Sequence, residues 1–152
     1  MSSILDACAE YEWSRRIAWR EMTSADRRQA LIWLAKKMTE ESGVPLEMPD
    51  DMFPQAGISV ISEDLELLCV MGVYFDGAVC VPGWCVTNPD NTPRDSHRAV
   101  EEAVDHIEYF ASRRKARHII TMFGSRGINK ILSRKGYAVG DSCAVSQYRR
   151  VV

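Results

Sequence analysis

The sequence has no apolar run approaching the roughly 18 residues needed to cross a bilayer. It also has no charge excess: 19 Lys and Arg against 21 Asp and Glu leave a formal charge of −2. That balance argues against a general nucleic-acid binder, whose affinity comes from net positive charge. The opening residues, Met1-Ser-Ser-Ile-Leu-Asp6, lack the basic start and apolar core of a secretory leader, so a cytoplasmic protein is expected. There is no internal repeat and no low-complexity stretch. No G-x-G-x-x-G follows a strand and no strand–helix alternation recurs, which argues against a doubly wound nucleotide-binding sheet. Cysteines number five, at positions Cys8, Cys69, Cys80, Cys85 and Cys143. They are odd in number, scattered and mostly inside apolar runs, as buried reduced thiols of an intracellular protein are. Cys80 and Cys85 have the wrong spacing for a zinc knuckle, and no Cys/His pair lies close, so no metal site is expected.

What is present is the composition of a folded domain. The 152 residues are 46% hydrophobic and 26% charged, enough for one core but too short for two full domains. The chain is read as a single domain over 1–152. Residues 1–54 form a helical N-terminal part with a Pro-rich loop, and 55–152 hold the sheet, a crossover helix and the C-terminal strands.

Residues 3–20 read as a partly amphipathic helix through Ile4, Leu5, Cys8, Tyr11, Trp13, Ile17 and Trp19. Thr23 and Ser24 are capping residues for a second helix with Ala30, Leu31, Leu34, Ala35 and Met38 on its apolar face, ended by Gly43 and Pro45. Residues 45–54 contain three prolines and read as an irregular connecting loop. Ile58-Ser-Val-Ile61 and Leu65 to Phe75 are strands, the second apolar on both faces. Asp76-Gly77 marks a hairpin. The return strand, 78–87, carries Pro82-Gly83 in its middle. Proline cannot donate to a ladder and glycine there marks a bulge, so the strand is expected to kink and stop pairing regularly at that point.

Ala99, Val100, Ala103, Val104, Ile107, Phe110 and Ala111 form one stripe of a helix from Ser96 to about Arg113. Arg113, Arg114, Lys115 and Arg117 gather at its end, suiting the negative end of the helix dipole. His118 to Phe123 reads as a buried strand and Gly124 to Gly127 as a turn. Ile128 to Lys135 reads as a short helix closed by Gly136. Tyr137-Ala-Val139 and Cys143 to Tyr148 are final strands about a Gly140-Asp141 turn. The order implies an α+β fold, an α/β/α arrangement with a mixed, mostly antiparallel sheet, preceded by two N-terminal helices.

This order resembles the GNAT superfamily of N-acetyltransferases over residues 55–150. The resemblance rests on the hairpin with its bulged return strand, the helix just after it, the buried strand 118–123, and the junction Leu132-Ser-Arg-Lys-Gly136-Tyr137. It implies a V-shaped splay beside the bulged strand, in which acetyl-CoA lies with its pantetheine against a free strand edge, here Val86 and Thr87. It places the pyrophosphate at the start of the following helix, here Arg94, Ser96, His97, Arg98 and Ala99, where first-turn N–H groups lack partners and the dipole is positive. Activity would be acyl transfer to an amine-bearing small molecule or protein, with the developing oxyanion held by backbone N–H of the bulged strand.

The sequence departs from the family pattern at three positions. His97 stands where the family loop has its first glycine, Ser125 where an asparagine is common, and Leu132 where many members carry a tyrosine that protonates the departing thiolate; leucine has no proton to give. No residue is thereby assigned as catalytic, though Tyr137 and Tyr148 are alternative acids. These losses give a second reading, a GNAT-fold protein without catalysis that serves as a structural or interaction module such as a phage virion or assembly component. In that reading the aromatic N-terminal segment, with Trp13, Trp19 and Trp33, makes contacts with itself or a larger assembly. His106 and His118 read as packing or surface residues.

Overall fold

A computed structural model gives the fold over residues 16–141 and 146–150, with side-chain environments over 16–138. Among these residues the order is β1 (Ile17–Glu21), α1 (Ser24–Ser42), a 3-10 turn at Asp50–Met52, β2 (Ala56–Ser62), β3 (Leu67–Asp76), β4 (Val79–Thr87), α2 (Pro93–Arg113), β5 (His118–Met122), α3 (Arg126–Arg134), β6 (Ala138–Asp141) and β7 (Ser146–Arg150). The strands make one sheet in the order β1-β2-β3-β4-β5-β7-β6. Every neighbouring pair is antiparallel except β4 and β5, which are parallel. This is the mixed, mostly antiparallel sheet that the sequence implied.

One N-terminal expectation is corrected. The segment read as the end of a helix over 3–20 is strand β1, whose Ile17 to Glu21 pair with Ser62 to Ile58. Ile17 and Trp19 pack on the core while Ala18 between them is exposed, a period of two that the sparse apolar residues of this stretch disguised. Residues 1–15 lie outside the described residues, Trp13 and Cys8 with them. The second expected helix is present as α1. Thr23 caps it by accepting a hydrogen bond from the Asp26 amide (3.1 Å), and the Asp26 carboxylate accepts from the Thr23 amide (3.1 Å) in return. Gly43, at φ 70°, ends it with its N–H on the Thr39 carbonyl.

The two faces of the sheet bury different helices. On one, the α2 stripe of Ala99, Val100, Ala103, Val104, Ile107, Phe110 and Ala111 packs with Cys69, Met71 and Val73 of β3, Ile119 of β5, and Ile131 and Leu132 of α3. On the other, Ala30, Leu31, Trp33 and Leu34 of α1 pack with Phe53, Val70 and Val86. Burying a side chain such as Ile107 or Phe110 stabilises the fold by roughly 1.5–3 kcal/mol.

Two charged residues of α1 are nevertheless buried, and they fasten the helix to its surroundings. The Asp26 carboxylate accepts hydrogen bonds from Arg20 of β1 (2.8 Å) and from the Ser59 hydroxyl of β2 (2.8 Å). Arg27 donates to the carbonyls of Pro54 (3.1 Å), Phe53 (2.7 Å) and Asp50, and to the Asp50 carboxylate (2.9 Å). The Pro-rich loop is therefore a connection, as expected, but one held shut by a guanidinium, with Phe53 driven into the core. Gly72 of β3 is what lets it lie there. A Cβ at that position would sit 2.8 Å from the Pro54 ring and 2.9 Å from the Phe53 ring.

The hairpin turn is Asp76-Gly77, with Gly77 at φ 55°. Further along, Gly72 pairs with Trp84 but Val73 with Pro82, so Gly83 is the extra residue of a bulge. Here the structure corrects the expectation that the return strand stops pairing at Pro82-Gly83. Beyond the bulge β4 resumes pairing with β3 and continues to Thr87 opposite Cys69. It is β5 that parts from β4, after two pairs only, Val79 with His118 and Cys80 with Ile119. Other boundaries also move: the long helix starts at Pro93 rather than Ser96, β3 at Leu67 rather than Leu65, α3 at Arg126 rather than Ile128, and Gly140-Asp141 belongs to β6 rather than to a turn. The β6–β7 connection, with Cys143, lies outside the described residues.

Replacing Arg27 with Met should cost about 2–4 kcal/mol in urea unfolding, because three loop carbonyls lose a buried donor. Replacing Asp50, whose side chain is 81% exposed, with Ala should change stability by less than about 0.5 kcal/mol. Equal losses would show that the ion pair, not the carbonyl contacts, holds the loop. The Asp26 carboxyl gives a pH signature. Burial raises it, but the Thr23 amide, Arg20 and Ser59 outweigh that and leave it below the ordinary 3.8. A folded-state value below the unfolded one contributes stability above the ordinary carboxylate range that is lost as pH falls through the folded value. Asp26→Asn should therefore be less stable than the parent at pH 7, with the gap narrowing as pH falls below about 4 in thermal unfolding.

Candidate functional site

Once β5 has left, the outer side of β4 beyond Cys80 has no strand partner among the described residues. Which of its backbone groups face that side follows from one hydrogen bond. The Asn88 amide donates to the Leu68 carbonyl (2.9 Å), so position 88 is turned toward β3. Antiparallel pairing alternates, which turns Val86 toward β3 as well and leaves Cys85 and Thr87 with amide and carbonyl on the open side. Of the two edge residues expected from sequence, Thr87 presents its backbone to the gap. Val86 instead pairs with β3 and buries its side chain among the α1 residues, and Cys85 takes its place on the edge.

The loop from β4 to α2 is short and fixed. Asn88 and Asn91 donate side-chain hydrogen bonds to the carbonyls of Leu67 (3.0 Å) and Leu68 (2.9 Å). α2 then starts beside the end of β4, with Thr92 as cap and Pro93 in the first turn. The Asp95 amide donates to the Thr92 hydroxyl (3.1 Å) and the Ser96 amide to the Thr92 carbonyl (3.0 Å). Pro93 has no N–H and the amides of His97, Arg98 and Ala99 fall inside the helix, so Arg94 is the position of the first turn whose amide the helix does not use.

The side chains of this stretch divide by direction. Arg94 is exposed, Arg98 lies 3.9 Å from Asp95 in an ion pair, and His97 is 54% exposed and 3.7 Å from Glu101. Ala99 is buried against the sheet. The histidine that replaces a glycine thus points along the helix surface toward Glu101. Trp84, the other bulky residue near the gap, packs with the α1 cluster.

A cleft of about 410 Å³ lies on the α1 side of the same strand end. Trp33, Lys36, Lys37 and Glu40 of α1 line one wall, at the spacing of one helix face, and Cys85, Val86, Thr87 and Pro89 line the other. From the sequence, Trp33 is assigned to a contact segment, and the lysines are given no role. The available signal was their recurrence beside the apolar stripe, which an ordinary solvated helix face also shows.

The remaining candidates resolve into structural roles. Ser125 caps α3 through the Ile128 amide, and Leu132 is fully buried in the core. Tyr137 is buried beside Val104, Asp105 and Glu108, at the middle of α2 and not at its start. Tyr148 is placed in β7 by its backbone pairing with Ile120. His106 stacks on Trp19 with ring centroids 4.8 Å apart, as a packing histidine does. From the basic cluster, Arg114 lies over Phe110 (4.8 Å) and Phe75 (5.4 Å). Among the described residues no cluster of metal-ligating side chains occurs. Cys69, Cys80 and Cys85 are free thiols. The sulfurs of Cys69 and Cys85 lie 3.6 Å apart; that hydrogen bond and burial hold the Cys69 thiol well above its ordinary value, and burial alone pushes Cys80 up to about 12.

Solved structures identify this architecture. The chain matches a GNAT-family acetyltransferase from Staphylococcus aureus with a TM-score of 0.61 and 9% identity, over 90% of this chain and 100% of that one. It matches a GNAT-family N-acetyltransferase from Escherichia coli in complex with CoA with a TM-score of 0.57 and 12% identity, over 91% and 83%. It matches a phosphinothricin acetyltransferase from Sinorhizobium meliloti in complex with AcCoA with a TM-score of 0.67 and 6% identity, over 89% and 88%. The chain therefore has the GNAT fold, in the divergent form that identities this low describe. No protein-family profile and no curated protein matches the sequence.

The thiols give a check on the site's geometry. Treated with iodoacetamide at pH 8 and mapped by peptide mass, the folded protein should carry label on half-buried Cys85 but not on Cys69 or Cys80, and all three should label in guanidinium. Labelling of Cys80 at the rate of Cys85 in the folded protein would contradict the burial of the β4–β5 junction.

Proposed function

We propose that the protein is an N-acyltransferase that uses acetyl-CoA and an amine acceptor. The observation that carries this reading is the free edge of β4: in a GNAT fold, the strand leaves its parallel neighbour after Cys80 and exposes the backbone of Cys85 and Thr87. Two of the structures of like fold hold CoA or AcCoA.

The residues present fit such a ligand in part. The outward amides and carbonyls of Cys85 and Thr87 suit a chain of alternating amide donors and acceptors, as pantetheine is. Arg94 offers an exposed guanidinium and the unused amide at the positive end of α2, both favourable to phosphate. Arg98 adds a second guanidinium, shared with Asp95, while the helix itself takes up the amides of Ser96, His97 and Ala99 and leaves them out of the anion site. Asp95 opposes an anion there, and its neighbouring arginines offset it.

Bound acetyl-CoA would supply an acyl thioester open to attack by an amine. The chain's task is then to hold the thioester carbonyl at the edge, where a β4 amide facing the gap stabilises the negative charge that develops on its oxygen. Leu132 supplies no proton to the departing sulfur, so as the C–N bond forms and the C–S bond breaks, the proton given up by the amine would reach the thiolate through water. The non-catalytic reading, a structural or assembly module, rests on the changes at 97, 125 and 132. Its proposed contact surface is reduced by the fold itself, since Trp19 is stacked on His106 and Trp33 is packed inside α1's cluster. No helix among the described residues is long and apolar enough to cross a membrane.

Isothermal titration of the full chain with acetyl-CoA should give heat and a single site; no heat at millimolar ligand overturns the proposal. Thr87→Pro removes one amide from the open side, where proline is tolerated structurally. It should weaken acetyl-CoA binding roughly tenfold while the unfolding midpoint stays near that of the parent.

A further inference from the structure

The cleft between α1 and β4 borders the same strand end as the proposed cofactor edge, but from the sheet face opposite α2. A ligand seated there meets an acyl group on the edge from the side that α2 does not occupy. That makes it the place for the acceptor, and its walls have a definite chemistry.

Two ammonium groups, Lys36 and Lys37, line the cleft, and no ion pair engages either of them among the described residues. Glu40 lines it on the next turn, one carboxylate against two cations. Trp33 and Val86 supply apolar wall between the charges. A cleft with a surplus positive charge and an apolar floor favours a ligand that carries an anionic group, and the single carboxylate gives the ligand's own ammonium a place to dwell before it loses its proton. A simple alkylamine, by contrast, brings only positive charge to two lysines.

We propose that the acceptor is an amine bearing an anionic group, a carboxylate or a phosphate, held by Lys36 and Lys37. This rests on the acyl-transfer reading above, and the two are separable by experiment. Four probe amines differ in charge at similar size: γ-aminobutyrate, O-phosphoethanolamine, n-butylamine and ethanolamine. Direct titration of the full chain without cofactor should show the two anionic probes binding about tenfold tighter than their partners, the factor expected from two solvent-exposed charge contacts. The stronger of the two anionic probes reports which anion the site takes. With acetyl-CoA present, the same preference should appear in KM, and Lys36→Gln/Lys37→Gln should erase it while leaving acetyl-CoA affinity unchanged. Charge reversal, Lys36→Glu/Lys37→Glu, should invert it. Both lysines are exposed, so neither double variant threatens folding.

If acetyl-CoA gives no heat but the anionic probes bind and the double variants lose them, the anionic site stands and acyl transfer falls. If the four probes bind alike, or the preference survives Lys36→Gln/Lys37→Gln, the proposal is overturned. It is equally overturned if those variants weaken acetyl-CoA and leave the amine preference untouched, because the lysines would then serve the cofactor's phosphates.

Discussion

β4 answers to two neighbours with incompatible geometries. With β3 it forms a hairpin ladder that survives the Gly83 bulge and runs to Thr87. With β5 it shares only the first two residues, because β5 returns from the far end of α2 and is drawn on its other side into antiparallel pairing with β7 over all five of its residues. A bulge adds bend and twist to the strand that carries it, and the bend here falls where the parallel contact has ended. The gap is thus a product of topology. Everything placed near it, the outward amides of Cys85 and Thr87 and the start of α2, is positioned by the strand that lost its partner.

The second fixed point is α1, which carries one wall of the cleft. A helix on a sheet face can slide when apolar contacts alone hold it, since those are not directional. α1 has two directional anchors within its first turn. Asp26 engages β1 and β2, and Arg27 engages the loop carbonyls. Both charges are buried and fully occupied, a condition under which such groups specify an arrangement as well as stabilise it. Fixing the first turn fixes the azimuth of the whole helix, and so decides that Trp33, Lys36, Lys37 and Glu40 face the strand end.

Much of this was legible in the sequence. The Asp76-Gly77 hairpin, the Pro82-Gly83 bulge, the α2 stripe and the Gly43 and Gly136 helix ends are local signals, written by backbone conformations that few residues tolerate. What was not legible depended on distant partners. Ile17 to Glu21 are too few and too mixed to declare a period of two, and they become a strand because β2 offers an edge. Arg27 has no local signal that singles it out, and only the return of the 50–54 loop makes it a buried donor. The cleft lysines carry only the mark of an ordinary solvated helix face until β4 is set opposite them. Val86 and Thr87 were expected together at the edge, and only a ladder hydrogen bond two residues on reveals which of the two faces the gap.

Gly72 has a bearing on how this protein changes over time. Its missing side chain is the seat of Phe53 and Pro54, while their carbonyls are gripped by Arg27. A lineage that acquires even a methyl group at 72 must displace both rings and so strand the guanidinium beneath them. Positions 27, 53, 54 and 72 are therefore coupled through volume and charge at once, and in divergent descendants they should be replaced as a set, leaving the neighbouring strand positions free to drift singly.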